Sequence, residues 1–197
     1  MGDRKISGTR LALVGAGLAL LAALAVALWV VIPERPISYT GSSTNPSLTA
    51  AIGARPVAER PAAPPLAFAD ADGHPRTLGE FRGKVVLVNL WATWCPPCVA
   101  EMPSIAELQR RLGGERFQVV AVALDRGGAP AVARWFHRNG IDALALYTGN
   151  PADYPDALLP TSLLVDAEGR VAWDGFGAKD WAGERAIATV EAVIEGR

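Results

Sequence analysis

The stretch KVVLVNLWATWCPPC, residues 84–98, decides the fold. Its first half, 84–91, is an apolar run rich in valine, the pattern of a strand covered on both faces. From Pro96 to about Leu112 the apolar residues Met102, Ile105, Leu108 and Leu112 recur at helical spacing. A buried strand therefore ends in a short turn that opens a helix, and both cysteines of the chain, Cys95 and Cys98, stand at that turn. C-x-x-C alone also occurs in zinc half-sites and by chance. A strand before it and a helix after it narrow the reading to a redox pair.

Each position has a physical reason. Cys95 falls at the helix start, where unpaired N–H groups and the helix dipole favour an anion and pull a thiol below its reference pKa of ~8.5. Pro96 and Pro97 lack N–H groups, which a first turn tolerates. They leave the Cys98 N–H and S–H as donors to the Cys95 sulfur, so the expected depression is not extreme. Cys98, one turn further in, is placed to attack a mixed disulfide that Cys95 forms with a partner. A bond between cysteines so close in the chain closes almost no loop and adds little stability. That fits a bond made and broken rather than a staple. Cys98 and Glu101 are i, i+3 neighbours on the helix. A part-buried carboxylate there, with a raised pKa, serves as base for a buried thiol; the alternative is a solvated helix glutamate. Trp94 belongs either to a docking surface or to simple packing, Trp91 to the core. Pro103 falls inside the helix and is expected to kink it.

Outward from this unit the pattern alternates. Residues 117–124 (FQVVAVAL) read as a second buried strand, 130–138 as a short helix with proline near its start, and 144–147 as a third strand. Residues 162–166 and 170–176 read as a hairpin turned by Gly169. Residues 181–194 close the chain as a helix with Ile187, Val190 and Ile194 on one face. The order predicts an α/β sheet with helices on both sides, occupying residues 65–197. A domain of that size buries about two-thirds of its unfolded surface and needs no disulfide to hold it.

The N-terminal part is different in kind. Residues 1–10 form a short tail with Arg4, Lys5 and Arg10 against Asp3. Residues 11–32 carry no charge and, at ~1.5 Å per residue, are long enough to cross a bilayer core of ~30 Å. Trp29 suits the interface, and Pro33 stops the helix. The expectation is an uncleaved transmembrane anchor. The alternative is a cleaved signal peptide, with Ala25-Val26-Ala27 as the cleavage site. Positive charge before the helix keeps the tail cytoplasmic and sends the rest of the chain outward. Residues 33–64, rich in Pro, Ser, Thr, Ala and Gly, read as a tether. The alternative for its last ten residues is that they pack on the domain.

A net charge of −1 gives no reason to expect nucleic acid. The two cysteines and two histidines, His74 and His137, lack the paired spacing of a structural zinc site. Both histidines read as solvated, and no metal or cofactor is expected beyond the cysteine pair itself.

Residues 83–125 (GKVVLVNLWATWCPPCVAEMPSIAEL…VVAVALD), with 159–166 (LPTSLLVD), resemble thioredoxin-like proteins of the TlpA/ResA type. The resemblance implies a thioredoxin-like fold, a central mixed sheet flanked by helices, with a nucleophilic Cys95 and a resolving Cys98. It also implies a cis peptide at Pro160 facing them and a role for Glu101. Trp94, Pro96, Pro97, Leu159 and Pro160 would form the substrate-binding surface, with Leu159 backbone groups free to pair with an extended partner. The implied setting is the bacterial inner membrane, with a single-pass anchor and the catalytic domain facing the periplasm or cell exterior. There the protein would reduce oxidised exported proteins of cytochrome c or respiratory copper-site assembly, recharged by a membrane thiol-transfer reductant. Asn89 departs from ordinary thioredoxin, which has a buried aspartate there; asparagine exchanges no proton, and the burden moves to Glu101. Two other readings compete. A Cu(I)-binding metallochaperone would use both thiolates but needs a third ligand, and the nearby Met102 is explained by the apolar helix face. A peroxidase would carry a lone cysteine after T-x-x, and Ala92 stands at the threonine position.

Overall fold

The computed structural model describes residues 54–196. The expected tail, the anchor at 11–32 and the tether up to residue 53 lie outside the described residues. Among the described residues no helix is long and apolar enough to cross a membrane.

Seven strands form one mixed sheet: β1 (Phe68–Ala69), β2 (Pro75–Arg76), β3 (Val85–Trp91), β4 (Phe117–Ala123), β5 (Tyr147–Thr148), β6 (Thr161–Val165) and β7 (Val171–Phe176), in the order β2-β1-β5-β4-β3-β6-β7. β3, β4 and β5 run parallel, and β6, β7, β1 and β2 join antiparallel. Three α-helices connect them: α1 (Pro96–Leu112), α2 (Gly128–Asn139) and α3 (Glu184–Ile194).

Strand alternation sorts the core into two layers. Leu87 and Trp91 of β3, with Val119, Ala121 and Ala123 of β4, face a cluster that takes in buried residues of all three α-helices, and both cysteines belong to it. The Trp91 ring stacks on Phe136 and lies 5.0 Å from Trp135, which fixes α2 against the end of β3. Val86, Val88 and Leu90 face the other way, against Leu66, Phe68, Tyr147 and Tyr154. Helical segments thus lie on both sides of the sheet, but the second face has only short 3-10 turns, Leu78–Phe81 and Pro151–Asp153. The reason is topological. The crossovers β3–α1–β4 and β4–α2–β5 step along the sheet in one direction, and right-handed connections then place both helices on the same face.

Several boundaries differ from expectation. The third strand is Tyr147–Thr148 rather than 144–147, because β4 offers partners only at Val122 and Ala123, and Leu144 turns into the helix-side core instead. The last helix starts at Glu184; Trp181 stays in the preceding turn, where its indole is held by α1. The strands β1 and β2 were not foreseen, since two residues show no period. The last residues of the expected tether also behave differently. The Arg55 N–H donates to Ala172 O, Ala62 bridges Arg170, and the Val171 N–H donates to Pro61 O at 2.7 Å. Arg60 is buried and pairs with Asp166. Residues 55–63 are therefore a strap along the β7 edge, the alternative left open for that stretch.

Candidate active site

Cys95 is the N-cap of α1, with Pro96 and Pro97 filling the first turn, so the helix begins where the proline geometry permits it. The Cys95 N–H donates to Ala92 O at 3.1 Å, and the Val99 N–H donates to Cys95 O at 3.0 Å. Asp125, buried at the end of β4, receives the Thr93 N–H at 3.0 Å and the Thr93 hydroxyl. The turn is thereby tied to the neighbouring strand from both sides. The two sulfurs form a disulfide, S–S 2.08 Å with the Cα atoms 5.3 Å apart. Cys95 is 5% exposed and Cys98 1%, so both are buried and Cys95 is the nearer of the two to the surface. The Cys98 N–H points at Cys95 Sγ, 3.3 Å away, as the double proline leaves it to do.

Exposed apolar residues flank the cysteines in the chain. Trp94 is 67% exposed, and Leu158 and Phe176 are exposed as well. Pro96 and Pro97 are exposed beside them. The Leu159–Pro160 peptide is cis, as the resemblance implied. Leu159 packs against the cluster that holds both cysteines, and Pro160 O accepts the Gly177 N–H at 2.9 Å, joining this loop to the end of β7. A cleft of about 490 Å³ opens on the Trp94 side, with Leu124, Asp125, Arg126, Gly127 and Pro151 as its other walls. The exposed Trp94 is therefore not a core packing residue.

Glu101 is not a solvated helix glutamate: it is 2% exposed. One carboxylate oxygen accepts the Trp181 indole N–H, and the other is buried without a partner. Burial pushes its pKa up to about 7, opposed by the Trp181 hydrogen bond and by the charge of Lys179. Lys179 is itself half-buried; burial lowers its pKa and the Glu101 charge opposes that. Its ammonium donates to Phe176 O at 3.0 Å and Gly177 O at 2.8 Å and lies over the Trp173 ring. Ser104 Oγ, 2.8 Å from Glu101 O, accepts the Trp181 N–H at 3.1 Å and holds this loop on α1. Pro103 sits exposed within α1, which runs through it.

The sequence reading missed Trp181, Lys179 and Asp125, and nothing local marks them. His74 joins Asp70 and Asp72 in a surface cluster away from the cysteines, and His137 is exposed on α2.

A disulfide at the start of a helix that follows a buried strand of a mixed sheet, with a cis peptide at Pro160, places the domain among thioredoxin-fold thiol–disulfide proteins. A model of the Redoxin family matches residues 43–194, and the chain belongs to that family, in its TlpA/ResA-type branch. The thiol-disulfide oxidoreductase ResA of Bacillus thuringiensis (strain Al Hakam) is 32% identical over 112 residues, 55% of this chain and 64% of that protein. ResA of Bacillus subtilis (strain 168) is 30% identical over 122 residues, 60% of this chain and 68% of that protein. The chain thus spans less than two-thirds of the length of the first of these relatives. Among solved structures, a thioredoxin-family thiol:disulfide interchange protein from Chlorobium tepidum TLS aligns with TM-score 0.57 at 27% identity, covering 69% of this chain and 97% of that one.

Proposed function

We propose that this chain is a membrane-anchored thiol–disulfide oxidoreductase that reduces disulfides of exported proteins through Cys95 and Cys98. The observation that carries the reading is the arrangement of the pair: a disulfide with Cys95 as the cap of a helix, Cys98 deeper in its first turn, and a buried acid one turn further on. In the reduced protein the Cys95 thiolate attacks one sulfur of a substrate disulfide, forming a mixed disulfide and expelling the other substrate sulfur as a thiolate. Cys98 then gives its proton to the Glu101 carboxylate and attacks Cys95 Sγ. The second substrate thiolate leaves, and two electrons have passed from the dithiol to the substrate. The Cys95–Cys98 disulfide is the product state of that step. A membrane thiol-transfer protein would return two electrons and reset the cycle. The apolar sequence at 11–32 would hold the chain in the bacterial inner membrane, with the domain on the periplasmic or outer side. Apocytochrome c haem-site cysteines and the cysteines of respiratory copper-site assembly proteins are the substrates in keeping with ResA-type relatives.

An insulin-reduction assay with the full chain tests this. Cys95→Ser should lower the rate to background, a loss of about 10³-fold or more, since no other thiol replaces the nucleophile. Cys98→Ser should accumulate a mixed disulfide visible by mass spectrometry. Retained reduction by Cys95→Ser, or no trapped species on Cys98→Ser, defeats the proposal.

A further inference from the structure

We infer that Asn89, anchored by Ser162, is the positioning partner of Glu101, its amide turning one way to accept from the protonated carboxyl and the other way to donate to the carboxylate. The inference rests on the reading of Glu101 as the base for Cys98.

The geometry begins in the sheet. The β3–β6 register sets Asn89 opposite Ser162, and the Asn89 Nδ2 donates to Ser162 Oγ at 3.0 Å. Asn89 is 0% exposed and Ser162 1%. Asn89 lies on the same side of β3 as Leu87 and Trp91, the side on which α1 packs, and its amide is one of the hydrogen-bonding neighbours of the Glu101 carboxyl. Among the described buried side-chain atoms without a partner are Asn89 Oδ1 and Glu101 Oε2. Both are acceptors on facing elements of the core, and a buried polar atom demands a partner. A single proton on Glu101 Oε2 satisfies the two at once. The disulfide state is the one in which that proton is expected, because closing the disulfide passes the Cys98 proton to Glu101.

When the proton returns to Cys98, the carboxylate needs a donor. An amide presents oxygen and nitrogen at almost the same positions, so a half-turn about its last bond exchanges them. Nδ2 then faces Glu101, and Oδ1 faces the Ser162 hydroxyl, which reverses from acceptor to donor. No charge is created at position 89 in either state. An aspartate there would put a second acid beside the first, and two such groups share their protons. The other groups that face Glu101 keep their roles throughout: Cys98 on its own helix, the Trp181 indole, and the backbone and ammonium of Lys179 from the loop after β7.

The test uses the oxidised full chain labelled with ¹³C at glutamate carboxyl carbons, with Glu101→Gln assigning the signal. In Asn89→Leu the Glu101 midpoint should rise, since the charge-assisted bond the carboxylate loses is stronger than the neutral one the acid loses. Resolution of a model mixed disulfide on Cys95 should slow about tenfold at neutral pH. Ser162→Ala, which removes one atom and serves if Asn89→Leu does not fold, should give a smaller rise. Asn89→Asp should split the titration into two midpoints. An unmoved Glu101 midpoint in whichever of Asn89→Leu and Ser162→Ala folds, or a single unchanged midpoint in Asn89→Asp, overturns the inference. The carboxyl titration needs no turnover. A shifted midpoint in Asn89→Leu alongside normal resolution in Glu101→Gln would therefore support the positioning contact and sink only the base role.

Discussion

Two buried acids lie off opposite ends of β6, and they are satisfied in opposite ways. Asp166, just past the strand's end, receives Arg60 at 3.3 Å, the Arg170 guanidinium at 2.9 Å, and the backbone N–H groups of Glu168 and Arg170. Glu101, near the strand's other end through Ser162 and Asn89, has one donor on one oxygen and none on the other. The same chemical group is thus fully paired where it ties the strap to the hairpin and under-paired beside the cysteines. A carboxyl with a vacant oxygen and a pKa of about 7 gains and loses a proton under ordinary conditions.

The largest effect should come from breaking the satisfied acid. Asp166→Ala removes the ion-pair partner of Arg60, whose side chain is only 1% exposed. Breaking a buried pair from one side costs about 3 kcal/mol or more. Urea unfolding should register that loss, while disulfide reduction by the folded fraction stays at the wild-type rate. A fall in activity per folded molecule would mean that the two ends of the sheet are not independent.

The under-paired acid should show itself through pH rather than through deletion. Below pH 4.5 Glu101 is protonated both folded and unfolded; between 4.5 and about 7 the unfolded chain loses the proton and the folded one keeps it. Stability therefore falls as pH rises across that window, at ~1.4 kcal/mol per unit, for a total on the order of 3 kcal/mol. Above it both states are ionised and the loss is complete. Glu101→Gln should lack this slope, so its unfolding free energy relative to wild type should improve between pH 5 and pH 8. Parallel curves for the two proteins would show that the carboxyl is not held neutral by burial.

How far each acid could be foreseen follows from where its partners lie in the chain. The strand-turn-helix unit was legible because its evidence is local: a valine run, two cysteines and apolar residues at helical spacing within residues 84–112. Glu101 was legible as a neighbour of Cys98 for the same reason. Its environment was not, since Trp181 arrives 80 residues later. The strap was hidden as well, because Arg60 amid prolines and alanines shows no period and its partner Asp166 is 106 residues away. The cis peptide at Pro160 came from family resemblance alone. Strands β1 and β2 are too short to alternate.

The smallest of these effects isolates the Lys179 ammonium, which acts on Glu101 by charge. Lys179 acts on the carboxyl through charge, while its ammonium is hydrogen-bonded to Phe176 O and Gly177 O. Removing the charge should raise the Glu101 midpoint by about half a unit, because the carboxylate loses a stabilising neighbour and burial then acts with less opposition. Lys179→Gln keeps a donor for those two carbonyls; Lys179→Met keeps neither donor nor charge. If the influence is electrostatic, both variants shift the pH dependence of mixed-disulfide resolution upward equally. If it works through the loop that meets Pro160, only Lys179→Met changes it, and the change appears as weaker substrate capture at every pH. Asp166 offers no such dissection, since its arginine contacts join charge and hydrogen bond in the same atoms. That is why a proton-exchanging acid is better served by a cation held at one remove.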